Sequence, residues 1–179
     1  GSGGALLLNS KKLYNLAMLL AKQGKPNTSY KYKNSGFNYK MSNINASLGY
    51  PQIKLFNQFL KKKIDIANLY DKAFKSNLRF SPMPRSNSVK SSCWLYSLKM
   101  RTKKDAKSLI KFLHNKNIEA RLFWESLSSQ RPYKDYFFKG NNVSLDLSRK
   151  IVSLPCSTSL TIKDQKTVIK EVLNWLKKN

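Results

Sequence analysis

From Cys93 onward the chain alternates between two hydrophobic periods, and that alternation limits its fold more than any other feature. Trp94, Tyr96, Leu98 and Met100 recur every second residue, as on one face of a β-strand. Thr102 and Asp105 form a variant of the capping box, and Ala106, Leu109, Ile110 and Leu113 follow at helical spacing. Residues 118–123 predict a second strand, Pro132 starts a short helix, and residues 143–151 predict another. Residues 151–154 read as a short strand ending at Pro155, and Thr161 with Asp164 caps a last helix carrying Ile162, Ile169, Val172, Leu173 and Leu176. This order of strand, helix, strand, helical segments, strand, helix implies an α/β layer, a small sheet covered by helices.

The first half has a different texture. Residues 3–9, GGALLLN, read as a short buried strand, such as a larger sheet would contain. Its glycines make no phosphate loop, because no Gly-Lys-Ser/Thr opening a helix follows them. Ser10 caps a helix with Leu13, Leu16, Ala17 and Leu20 on one face and Gly24 as the stop. Residues 25–41 are irregular and rich in Tyr, Lys and Asn, and a loop of that length is usually functional or mobile. Ser42 caps a helix through Leu48, and Pro51 then serves as a kink or a fresh first turn. Phe56, Phe59, Leu60, Ile66, Ala67, Tyr70, Ala73 and Phe74 continue at helical spacing from Ile53, interrupted by Lys61, Lys62 and Lys63. Residues 79–92 hold two prolines and five serines and predict a linker or an edge loop of the sheet. Three regions follow, 1–50, 51–78 (a long connecting helix) and 79–179.

The 179 residues suffice for one ordinary domain or a large fragment of something bigger. The net charge of +25 would attract nucleic acid or anionic ligands, yet only six of the 34 basic residues are arginine. Arginine is the residue suited to forked recognition of phosphate and guanine. A solvated surface coloured by codon bias is therefore the favoured reading, with no nucleic-acid partner. Cys93 and Cys156 form neither a disulfide framework nor a zinc spacing, which fits a reducing cytoplasm. The apolar runs at 5–8 and 16–21 are far too short to span a membrane, and no signal segment opens the chain.

Acid–base and metal chemistry find little support. The nine carboxylates are scattered, and His114, the only histidine, lies beside the apolar face of its helix with no nucleophile in its pattern. Binding chemistry remains. Asn38 and Lys40 stand on a glycine-flanked turn just before a helix N-terminus, where amide, ammonium and backbone N–H groups suit phosphate oxygens. Tyr39 and Tyr32 could pack on a ring or sugar, and Arg121 with Trp124 pairs a fixed cation with an aromatic wall. A turn residue or a solvated side chain is the plain alternative for each.

Four segments together, GFNYKMSNINASLGYPQ at 36–52, SCWLYSLKM at 92–100, IEARLFW at 118–124 and SLPCSTSLT at 153–161, resemble the C-terminal half of a DegT/DnrJ/StrS-type sugar aminotransferase. The family pattern G-[YF]-N-Y-R-[ML]-[SP]-N-[IL]-x-A-A-[LI] is matched from Gly36 except at Lys40 and Ser47. The resemblance covers nearly the whole chain in order. It implies a fold-type-I, pyridoxal-phosphate-dependent subunit: the small C-terminal α/β domain over 79–179, and over 1–50 the last strand and helices of the large cofactor domain with its active-site turn.

By that resemblance Asn38 contacts the cofactor phosphate in the neighbouring site of a homodimer, and Lys40 faces the substrate's phosphates where the family usually has arginine. The segment holding Arg121 and Trp124 lines the sugar end in the family, and Tyr39 and Tyr32, read above as packing on a ring or sugar, join them as substrate-binding candidates. Ser128 stands where a histidine is common, in a run that reads WESLS rather than W-K-P-M-H. The implied reaction aminates a keto nucleotide sugar, on the pattern of 4-keto-6-deoxy substrates, with glutamate as the habitual donor, for surface polysaccharide or glycan synthesis. The Schiff-base lysine and the aspartate facing the pyridine nitrogen belong to the family's N-terminal half, so the chain alone is expected to be inactive. A non-catalytic dimerisation module or pseudoenzyme fragment, and on charge alone a basic nucleic-acid module, are the other readings of the same residues.

Overall fold

The computed structural model describes residues 3–26, 31–32, 34–75, 77–86 and 88–178. The chain divides into two compact units, Gly1–Phe56 and Asn57–Asn179. The first holds α1 (Lys11–Ala21) and α2 (Asn43–Lys54); α3 (Phe56–Phe74) begins at the division. The second continues with β1 (Phe80–Pro82), β2 (Tyr96–Met100), α4 (Lys103–His114), β3 (Arg121–Leu122), α5 (Val143–Ser148), β4 (Ile151–Leu154) and α6 (Ile162–Lys178). It is a mixed α/β fold on a small antiparallel sheet of order β1-β2-β4-β3.

Register explains which side chains meet. Phe80 lies opposite Met100, Leu98 opposite Val152, and Tyr96 opposite Leu154, so one sheet face is a continuous apolar surface. Tyr70 and Phe74 of α3, Leu109 and Leu113 of α4, and Val172 and Trp175 of α6 are fully or almost fully buried in the same cluster. The Tyr70 ring stands 4.6 Å from that of Tyr96, and Phe74 meets Phe80 edge-on at 5.4 Å. Burial pushes the Tyr70 and Tyr96 phenols up, and each finds an acceptor: Tyr70 donates to Pro155 O at 2.8 Å and Tyr96 to Asp71 at 2.9 Å. Gln165 Nε2 donates to Ile66 O at 2.7 Å and Trp175 Nε1 to Ser108 Oγ at 3.0 Å, fastening α6 to α3 and α4. No buried polar side-chain atom lacks a partner among the described residues.

Caps follow the expected residues. Ser10, Ser42 and Thr102 accept the N–H groups of Leu13, Asn45 and Asp105, and Thr161 accepts that of Asp164. Four expectations are revised. Residues 3–8 form no strand: Leu6 and Leu7 are exposed, and no described backbone in the first unit pairs with them, without which a strand has no ladder. The last strand expected of the large domain is therefore absent from the described residues. The helix capped by Ser42 runs past Pro51 to Lys54, Leu55 ends it, and the helix expected from Ile53 starts at Phe56. The strand expected over 118–123 shrinks to Arg121–Leu122, because Ile118 N donates back to Leu113 O and Ala120 O is taken by His114 Nε2 at 2.7 Å. Pro132 sits in a single 3₁₀ turn, Arg131–Tyr133.

Candidate functional site

The turn at 36–40 is built onto the end of α1. A helix leaves its last carbonyls without partners. Here Phe37 N donates to Leu20 O at 2.7 Å, while Tyr39 N and Lys40 N both donate to Ala21 O, at 3.1 and 3.2 Å. Gln23 N returns a bond to Phe37 O at 3.0 Å, and Lys22 and Asn38 form an antiparallel bridge. Gln23 and Gly24 take left-handed φ values of 64° and 71°, which turns the chain back after the helix.

Two glycines permit the approach. A Cβ on Gly36 would stand 2.1 Å from Gly24 N and 2.8 Å from Leu20 O. One on Gly24 would stand 1.9 Å from Asn34 O. The backbones touch, and no larger residue fits at either place.

What the turn offers is a set of donors. Asn38, Tyr39 and Lys40 are all exposed, and Phe37 stacks on Tyr39 with ring centroids 4.9 Å apart. Directly opposed residues of an antiparallel bridge carry their side chains side by side, so Lys22 stands beside Asn38. Sequence reading missed Lys22, whose position shows only once the bridge is known. No aspartate or glutamate precedes Asp65 in the chain. A carboxamide and two ammonium groups in a stretch free of carboxylates fit a phosphate group. Tyr32 is exposed too, but its ring does not join the Phe37–Tyr39 stack.

The other candidates lie in the second unit. Arg121 is on β3 opposite Ser153, on the sheet face away from the core, and is exposed. Trp124 stacks on Trp94, with centroids 5.6 Å and planes 20° apart, and meets Phe123 edge-on at 4.9 Å. The alternation from Cys93 places Trp94 on one strand face with Tyr96, Leu98 and Met100. Trp94 is instead 67 % exposed, because Cys93 has a left-handed φ of 49° and the strand begins only at Tyr96. Ser128 lies in the 3₁₀ turn Leu127–Ser129, with its hydroxyl 2.9 Å from that of Ser126, which in turn meets Ser144 at 3.0 Å. Among the described residues no group of His, Cys, Asp and Glu could hold a metal ion, and no helix is long and apolar enough to cross a membrane.

Comparison with known proteins covers almost the whole chain. The profile of the DegT/DnrJ/EryC1/StrS aminotransferase family matches residues 1–173. GDP-perosamine synthase of Escherichia coli O157:H7 is 29% identical over 175 residues, covering 97% of this chain and 47% of the relative. UDP-4-amino-4,6-dideoxy-N-acetyl-beta-L-altrosamine transaminase of Helicobacter pylori (strain ATCC 700392 / 26695) is 27% identical over 177 residues, covering 96% and 47%. Among solved structures, Helicobacter pylori PseC, an aminotransferase involved in the biosynthesis of pseudoaminic acid, superposes with a TM-score of 0.81 at 24% identity, covering 96% of this chain and 48% of that one. The aminotransferase TlmJ from Streptoalloteichus hindustanus gives 0.83 at 20% identity, covering 95% and 46%. The chain thus spans about half the length of the relatives it matches.

Proposed function

Because the chain belongs to the DegT/DnrJ/EryC1/StrS aminotransferase family, we propose that it is the C-terminal portion of an enzyme that aminates a keto nucleotide sugar, on the pattern of 4-keto-6-deoxy substrates. One observation carries this reading: a turn locked against α1 by three backbone hydrogen bonds holds Asn38 and Lys40 outward. Pyridoxal phosphate, when bound, supplies the conjugated ring that takes up the electron pair released during amino-group transfer. Asn38 Nδ2 would donate to its phosphate oxygens, and the Lys22 ammonium would offset their charge. Lys40 faces the nucleotide's phosphates as a point charge, without the fork an arginine would bring. Tyr39 and Tyr32 flank that end. Arg121 and Trp124 take the sugar end, and Ser128 lends its small hydroxyl where a histidine would narrow the space.

The lysine that anchors the cofactor lies, on this reading, in the N-terminal half, and the subunits pair as a homodimer in the cytoplasm, with glutamate as donor. The surface of the first unit supports the presence of further protein against it. Gly24 is its only buried described residue, while Leu13, Leu16, Ile44, Leu48 and Ile53 are exposed. So much uncovered apolar surface calls for protein to cover it. Region 1–50 then belongs to the cofactor side, 51–78 to the connecting helix and 79–179 to the small domain.

The test has two arms. Borohydride treatment of this chain with pyridoxal phosphate should leave no lysine labelled at a single site, and such an adduct would sink the claim that the anchoring lysine lies elsewhere. The longer reading frame, expressed whole, should convert a 4-keto-6-deoxy nucleotide sugar with glutamate. Asn38→Asp, which sets a negative charge against the phosphate, should weaken cofactor retention by about 10- to 100-fold.

A further inference from the structure

Trp94 and Trp124 are the largest exposed side chains of the second unit that lie against each other, at 67 % and 57 % exposure. Paired indoles left in water are unusual, and the structure maintains the arrangement at a cost. Cys93 holds a left-handed backbone that a residue with a Cβ adopts only against steric strain. What holds it is Lys63. The half-buried ammonium of Lys63 donates to Trp94 O at 2.5 Å and to Cys156 O at 2.6 Å, clamping the entry to β2 against the exit from β4. Cys156 Sγ adds a weaker contact to Trp94 O at 3.5 Å, and Cys93 N is fixed by Ser91 Oγ at 3.1 Å. Lys63 interrupts the apolar stripe of α3 because its charge is spent on two carbonyls rather than on solvent.

Trp94, with Trp124 stacked against it, lines a recess of about 530 Å³ together with Lys63, Glu119, Arg121, Ser153, Ser157 and Asp164 among others. Its chemistry alternates. A flat apolar wall stands next to a guanidinium, two carboxylates and hydroxyls. A sugar ring presents that pattern in complement, with C–H bonds on its face and hydroxyl donors and acceptors around its edge. We propose that Trp94, backed by Trp124, is the wall of this recess that receives the face of the substrate's sugar ring, and that Lys63 is the positioning residue that sets Trp94 there. The choice of ligand rests on the function proposed above; the Lys63–Trp94 geometry does not.

Circular dichroism tests the geometry on this chain without cofactor, through the exciton couplet that paired indoles give in the far ultraviolet. Trp94→Phe should abolish the couplet. Lys63→Met should diminish it strongly while the near-ultraviolet signal of buried Trp175 persists, and Lys63→Arg should restore part of it. A couplet unchanged in Lys63→Met overturns the positioning role. Ligand choice is read from quenching of indole emission by UDP-N-acetylglucosamine against UDP alone. Trp94→Ala should weaken the sugar nucleotide about tenfold and leave UDP unchanged. Equal loss for both ligands, equal binding by Trp94→Ala and the parent chain, or no quenching by the sugar nucleotide each overturns the sugar assignment. None of these outcomes depends on whether the longer protein transaminates.

Discussion

Gly36 and Gly49 stand thirteen residues apart in one unit and should respond to alanine in opposite ways. At Gly36 the new methyl would meet backbone at 2.1 Å, with no flexible side chain to give way. Gly36→Ala is expected to lift the turn off α1 at about 1–3 kcal/mol, the scale of overpacking. Amide hydrogen exchange at Phe37, Tyr39 and Lys40 would report it, and unchanged rates there would contradict the lock. At Gly49, inside α2, a methyl meets nothing within 4 Å. Gly49→Ala should therefore stabilise α2 by about 0.5–1 kcal/mol, seen as increased helical circular dichroism. The sequence displayed both glycines, but only Gly36 needs to be one, and spacing alone did not distinguish them.

At the scale of elements, the caps give the sharpest expectations. Thr102 accepts from Asp105 N at 3.0 Å and donates to Asp105 Oδ2 at 2.8 Å, and Asp105 also pairs with Arg79 at 3.2 Å. Thr102→Val removes both hydroxyl bonds and should lower the stability of the second unit by about 1 kcal/mol in a urea titration. On α5, the hydrogen bond from Lys150 holds the Asp146 carboxyl below the usual carboxylate range, with Lys103 and Lys99 adding to the effect. A lowered folded-state pKa stabilises fully above the unfolded value and ceases to do so as pH falls through the folded one. The parent chain should therefore lose α5 protection on acidification below the ordinary carboxylate range. Asp146→Asn should lack that step, and identical acid profiles would refute it.

Helices and caps were legible because their signals are local: a hydroxyl three residues before the N–H it binds, an apolar residue every third or fourth place. Trp94 was not, since its exposure depends on one left-handed residue at Cys93 and an ammonium contributed from α3. Residues 3–8 misled for a related reason, because strand composition makes no strand without a neighbouring backbone. Asn38 and Lys40 were picked out as a pair, whereas Lys22 required knowledge of which helix end receives the turn.

For the molecule as a whole, the two units should differ in local stability. The second has a contiguous core from α3, α4, α6 and the sheet; the first has one buried described residue, a glycine. Opening free energy follows buried apolar contact. Hydrogen exchange should protect the amides of β2, β4, α4 and α6 most strongly, while those of α1 and α2 exchange far sooner. Equal protection in both units would refute the comparison. On the function proposed above, adding the N-terminal half should slow exchange in α1 and α2 and leave the β2 and β4 rates nearly unchanged.

The backbone contact between Gly24 and Gly36 also has a consequence for length. Once the two ends of a loop are held together, each doubling of the chain between them adds only about 0.6 kcal/mol of closure entropy. A change of length between Gly24 and Asn34 should therefore move Asn38 little, so long as the approach of Asn34 to Gly24 is kept. A peptide graft in that stretch would be carried as cargo by the turn, which makes it the natural place to attach a probe beside the proposed phosphate site without moving it.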